Sequence, residues 1–137
     1  MTCTIYILTS GDYLLPENQV LFGGICTEDY YENAISYMRK SVPNVKFLFF
    51  TNDVNWVKEK FNISNGYFVN DYYLDMIPDY YDMYIMSQCK HHIIANSTFS
   101  WWGAYLGCNN EKIVIAPSKW MNNCETKDIY QSDWIKL

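Results

Sequence analysis

Apolar residues in this chain fall into short runs of strand length, separated by stretches with helical spacing. Thr4-Ile5-Tyr6-Ile7-Leu8 and Val45-Lys46-Phe47-Leu48-Phe49-Phe50 are β-prone runs, and Tyr67-Phe68-Val69 is a third. His91 to Ala95 reads as a strand, and Lys112 to Ala116 as a last strand before Pro117. Between them, Thr27 has the character of a helix N-cap, with Glu28 and Asp29 in the first turn and Tyr31, Ala34, Ile35 and Met38 at helical spacing up to Pro43. Val54 to Phe61 predicts a short helix. Asp79 to Lys90 predicts another, with Tyr81, Tyr84, Ile85 and Cys89 on one face, and Phe99 to Leu106 a further one. Gly11 to Gly24 reads as a loop, from its glycines and Pro16.

Strands and helices thus alternate from end to end, and the strands are nearly continuous apolar runs. That pattern predicts an α/β fold with a Rossmann-like parallel sheet covered on both faces. At 137 residues the chain is expected to form one domain over residues 1–137, with no internal repeat or linker.

Composition narrows the function. A net charge of −5 and a single arginine, Arg39, argue against a nucleic-acid surface. No apolar run reaches the length of a membrane span, and the N-terminus lacks a signal-peptide pattern. Five scattered cysteines fit reduced thiols in a cytoplasmic protein. Thirteen tyrosines, several in pairs, read as amphipathic core and rim material.

The segment Asn96-Ser97-Thr98 sits at the carboxyl end of the His91–Ala95 strand and opens the next helix. Ligands of open parallel sheets bind outside the carboxyl ends of the strands. A helix N-terminus offers backbone N–H groups and about half a positive charge, which suits phosphate. The hydroxyls add donors, so this joint has the parts of a phosphate cradle; Ser97 or Thr98 serving only as an N-cap is the alternative. His91 and His92 are neighbours on a strand and point to opposite faces, so they do not chelate one metal, and no metal-ligand cluster is visible. Trp101 and Trp102 read as helix-to-sheet packing in preference to a stacking platform.

Met86 to Gly107, reading MSQCKHHIIANSTFSWWGAYLG, followed by KIVIAPSKW, resembles the C-terminal motif of bacterial GDP-fucose-dependent α-1,2-fucosyltransferases, glycosyltransferase family 11-like. GGICTEDYYENAI, FLFFTNDVNWVKEKF and the ending DWIKL resemble the same family in the same order. The resemblance implies the C-terminal, nucleotide-binding half of a GT-B-type glycosyltransferase, with the N-terminal acceptor-side half absent. It implies GDP-fucose as donor, a galactoside 2-hydroxyl as acceptor, inverting transfer and no cofactor or metal. Donor contacts fall on Asn96, Ser97, Thr98, Phe99 and Ser100, with Asn96 positioning the turn. Asp12 takes a structural or donor-loop role and Asp82 lies on the guanine side; the general base is unassigned. The resemblance also implies a cytoplasmic protein, with the membrane periphery where surface glycans are assembled as an alternative. Self-association, or a separate chain supplying the other half, is expected of the uncovered faces.

One departure bears on activity. The family carries His-x-Arg-Arg-Gly-Asp after its first strand in this region, where this chain has Ile7-Leu8-Thr9-Ser10-Gly11-Asp12. Arginine forks neutralise a leaving diphosphate; Thr and Ser supply one weaker donor each. Losing one such group costs about 10²–10³ in rate. The isolated chain is therefore expected to be an inactive fragment, with a GDP-binding module without chemistry and a decayed remnant without a site as the alternatives.

Overall fold

The computed structural model describes residues 2–7, 15–61, 63, 64, 66–69 and 79–137; within 2–7 it describes the backbone and the Ile5 side chain, and at residue 79 the backbone alone. In chain order the elements are β1 (Thr2–Ile7), α1 (Pro16–Phe22), α2 (Glu28–Ser41), β2 (Lys46–Thr51), α3 (Val54–Lys60), β3 (Gly66–Phe68), α4 (Asp79–Gln88), β4 (His91–Ile93), α5 (Thr98–Tyr105), β5 (Val114–Ala116) and β6 (Ile135–Lys136). A 3-10 turn, Lys127–Ile129, precedes β6.

The six strands among the described residues lie in one sheet of order β3-β2-β1-β4-β5-β6, and each of their pairings is parallel. The chain winds outward from β1 to β3, crosses back, and winds outward again from β4 to β6. The winding direction therefore changes between β1 and β4, which makes that gap the topological switch point of a doubly wound sheet. The parallel α/β arrangement expected from the apolar runs is present.

Side chains alternate across the sheet with period two, and each face has its own core. On one face Phe47, Phe49, Ile93 and Ile115 pack with Ile5 beneath α2 and α3, through Tyr31, Ala34, Ile35, Met38 and Val57. On the other, Phe50 packs with Met86 of α4, and Ile94, Val114 and Ala116 pack with Ala104 of α5, Trp120 and Trp134. The capping chemistry is local. Thr27 Oγ1 accepts the Tyr30 N–H at 3.2 Å to start α2, and Asp53 Oδ1 accepts the Trp56 N–H at 3.0 Å to start α3.

Three expectations are corrected. Gly11 to Gly24 is not all loop, because Pro16–Phe22 is helical. Proline at the first helical position is pre-set for helix, but none of the seven residues is buried, so no apolar periodicity advertised it. Lys112–Ala116 does not end the sheet: β6 pairs in parallel with β5, and the Leu137 N–H donates to the Ala116 carbonyl at 3.1 Å. On α4, Tyr81 and Tyr84 face outward while Met86 and Cys89 are buried. A close approach explains that rotation. A Cβ on Gly103 of α5 would stand 2.7 Å from Met86 Sδ and 2.9 Å from its Cβ, so α4 and α5 meet where glycine leaves room. Gly103→Ala is expected to destabilise the fold by about 1–3 kcal/mol through overpacking, read as a lower urea midpoint at unchanged m-value. Among the described residues, no helix is long and apolar enough to cross a membrane.

Candidate functional site

β4 ends at Ile93, and the chain then leaves the sheet through Ile94-Ala95-Asn96-Ser97 before α5 begins at Thr98. This turn stands at the carboxyl edge beside the switch point. Its carbonyls are gathered from outside the ladder. Tyr30, reaching from α2, donates its hydroxyl to the Ile94 carbonyl at 2.6 Å, with the Ile115 carbonyl 3.2 Å away. Ser100 is 1 % exposed, and its hydroxyl lies 3.1 Å from the Ala95 carbonyl and 3.0 Å from that of Ser97. The Ser100 side chain therefore braces the turn from inside.

Asn96 is 6 % exposed and joins three segments. Its Nδ2 donates to the Phe22 carbonyl at 3.0 Å, at the end of α1, and to the Trp120 carbonyl at 3.2 Å, in the segment after β5. Its Oδ1 accepts the Cys26 thiol proton at 3.4 Å. Burial pushes the Cys26 thiol up to about 11, so it remains a protonated donor at neutral pH. An amide turned inward in this way also leaves no place for a glycan on the Asn96-Ser97-Thr98 sequon.

Ser97 occupies the N-cap position of α5 in extended backbone, but its side chain makes no capping hydrogen bond. It is buried, whereas Thr98 is exposed at the mouth of the turn and Phe99 is half-buried against the Phe50 and Met86 cluster. No acidic residue stands in the first turn of α5, in contrast to α2, whose first turn carries Glu28 and Asp29. The positive end of α5 is thus left uncompensated by its own sequence. Asp82 is half-buried on α4. It lies one turn before Met86, as Phe99 lies one turn before Gly103, so helical geometry sets the two at one level, toward the carboxyl edge. The structure therefore brings Asn96, Ser97, Thr98, Phe99, Ser100 and Asp82 to one edge of the sheet; Asp12 lies outside the described residues.

The histidines sit lower in β4 and are not at this edge. His91 Nδ1 accepts the Ile113 N–H at 3.1 Å, which fixes that nitrogen as unprotonated. His92 is 1 % exposed, on the opposite face, beside Gly107. Burial, with Lys112 and His91 adding repulsion, pushes it down to about 3. Trp101 packs inward, donating its Nε1–H to the Ile129 carbonyl at 2.7 Å, with its ring 5.8 Å from that of Trp134; Trp102 remains exposed.

Sequence reasoning missed the contribution of the segment after β5. A cavity of about 560 Å³ opens there, lined in part by Lys119, Trp120, Asn122, Tyr130 and Lys136. Asn122 donates its Nδ2 to the carbonyls of Val20 at 3.1 Å and Gly23 at 2.9 Å, and its backbone N–H to that of Leu21 at 2.7 Å. No motif or spacing marks this residue in the sequence.

The family model described as Glycosyl transferase family 11 matches residues 5–137. The chain belongs to glycosyl transferase family 11. Among its relatives is the O-antigen biosynthesis glycosyltransferase WbnK of Escherichia coli, 38 % identical over 93 % of this chain and 42 % of the relative. An alpha-1,2-colitosyltransferase of Escherichia coli is 34 % identical over 93 % of this chain and 44 % of its own length. Galactoside alpha-(1,2)-fucosyltransferase 2 of Oryctolagus cuniculus is 30 % identical over 70 % of this chain and 27 % of the relative. The chain thus spans less than half the length of these curated relatives. No solved structure matches it. Within this family 11 chain, the turn Asn96-Ser97-Thr98 is the place where the sheet's switch point and a helix N-terminus without an acidic residue in its first turn coincide.

Proposed function

We propose that this chain is the donor-nucleotide-binding portion of an α-1,2-fucosyltransferase, the C-terminal half of a GT-B-type enzyme that moves fucose from GDP-fucose to the 2-hydroxyl of a galactoside. The observation that carries the reading is the β4–α5 turn at the switch point, whose helix opens without an acidic residue. The diphosphate lies against the first turn of α5, held by backbone N–H groups and the exposed Thr98 hydroxyl, while Asn96 and Ser100 hold the turn from behind. Asp82 stands on the guanine side. The reaction inverts the anomeric centre and draws on no metal. The match to an alpha-1,2-colitosyltransferase makes a GDP-linked colitose the alternative donor.

Cleaving the sugar–phosphate bond builds negative charge on the leaving diphosphate, and the arginine pair that would meet it is replaced by Thr9 and Ser10. The isolated chain accordingly binds GDP and transfers little. The test is calorimetric titration with GDP, together with an assay of GDP-fucose and lactose. Saturable GDP binding without detectable transfer is expected. Replacing both hydroxyls, Ser97→Ala with Thr98→Ala, should weaken GDP by about tenfold, the worth of about one hydrogen bond to a charged group. A double variant that binds GDP as tightly as the parent would move the cradle elsewhere.

A further inference from the structure

Helix α1 poses a physical problem. It is seven residues long, too short to persist alone in water, and none of its residues is buried. Val20 is 63 % exposed, and Leu15, just before the helix, is exposed as well. Leu21 and Phe22 are only half-buried, so among the described residues apolar packing secures the helix in part.

The hydrogen bonds that hold its end come from residues distant in sequence. The carbonyls at a helix C-terminus have no intrahelical partners. Here those of Val20, Leu21 and Gly23 all accept from Asn122, and that of Phe22 accepts from Asn96. The chain then turns at Gly24, whose φ of 70° suits glycine, and returns to Cys26, which donates to the other end of the Asn96 amide. Residues 15–26 thus form a strap clasped at the carboxyl edge by one asparagine after β4 and one after β5. Lifting Pro16–Phe22 would uncover no fully buried side chain of its own. Its opening costs a few hydrogen bonds and the partial cover of Leu21 and Phe22, little beside the fully buried strands, which places it among the less stable parts of the fold.

We propose that Asn122 is a positioning residue for the nucleotide site: by clasping the end of α1 it holds residues 15–26 closed at the carboxyl edge, and release of that clasp governs how fast the nucleotide enters and leaves. This rests on the reading of the β4–α5 turn as the GDP cradle. Asn96 keeps the turn in shape; among the described residues the hydrogen bonds of Asn122 go to Val20, Leu21 and Gly23, so its effect reaches the cradle through the strap.

Stopped-flow binding of N-methylanthraniloyl-GDP to the whole chain tests it. Asn122→Ala, which removes both side-chain donations, should raise the dissociation rate by about tenfold, and Asn122→Asp should do the same because it keeps the size and loses the Nδ2 donors. Asn122→Gln, which retains the amide, should recover part of the loss, an outcome that loss of general stability would not give. Hydrogen exchange on the unmodified chain, with and without saturating GDP, should show slower exchange at Val20 to Gly23 when GDP is bound. Unchanged dissociation in Asn122→Ala, or exchange in this segment indifferent to bound GDP, overturns the role of Asn122 and leaves the cradle standing. A parent chain that binds no GDP overturns the cradle and this inference with it.

Discussion

Asn96→Ala is expected to cost the fold about 2–4 kcal/mol, a fall in Tm of roughly 10 °C, and to abolish GDP binding at concentrations that saturate the parent. The magnitude follows from what the amide joins. Its Nδ2 serves two carbonyls from segments 74 and 24 residues away, and its Oδ1 receives the Cys26 thiol. Each net hydrogen bond is worth about 1 kcal/mol, and the acceptors left behind add a desolvation penalty because the site is too enclosed for solvent to replace the amide freely. Asn96→Asp should be worse than alanine, since a carboxylate would face two carbonyl oxygens. Urea titration of both variants checks the ranking. A change below about 0.5 kcal/mol for alanine would mean that the three segments hold their places without the amide.

The second large effect is acid sensitivity centred on His92. In the unfolded chain its imidazole titrates near the ordinary histidine value of 6.5, and in the fold burial keeps it from taking a proton until about pH 3. Between those values the unfolded state binds more protons, so stability is full above pH 6.5 and falls as the pH drops toward 3. The slope approaches about 1.4 kcal/mol per pH unit, or roughly 2–3 kcal/mol lost by pH 4.5. His91 is shifted in the same direction, by burial first, and adds to the same trend. Chemical denaturation at pH 7, 6, 5 and 4.5 measures the slope, and His92→Gln should flatten it. Lys112 offers an internal check. Its Nζ donates to the carbonyls of Ala104, Tyr105 and Gly107 at 2.9, 3.3 and 2.9 Å, closing the end of α5, and its charge helps to keep His92 neutral. Lys112→Met should lower stability at pH 7 and, by raising the folded pKa of His92, narrow the pH window over which stability is lost. Equal stability of the parent at pH 7 and pH 5 would contradict the buried-neutral assignment.

Most of the parallel sheet was legible because its strands are apolar on both faces, and the alternation of Phe47 and Phe49 with Leu48 and Phe50 carried the two cores directly. The capping residues Thr27 and Asp53 acted locally, so short-range chemistry located the starts of α2 and α3. The failures share a non-local cause. Helix α1 depends on amides up to 102 residues away, and β6 is two residues that extend only because β5 offers an edge. On α4, Ile85 and Cys89 of the expected face pack inward while Tyr81 and Tyr84 stay exposed, because nothing in α4 itself reveals Gly103 of α5 opposite Met86. At the site, Asn96 to Ser100 were visible as a motif on a strand-to-helix joint. Asn122 was not, since a lone amide in a Met-Asn-Asn-Cys stretch carries no pattern until the fold brings α1 beneath it.

The most direct test of the nucleotide cradle is a crystal structure of the chain with GDP. The expected result places the diphosphate oxygens about 3 Å from the backbone nitrogens opening α5 and from the Thr98 hydroxyl, with the guanine toward Asp82. GDP seated wholly in the cavity beside Lys119 and Lys136, without contact to the first turn of α5, would contradict the cradle and reassign the nucleotide site to the segment after β5.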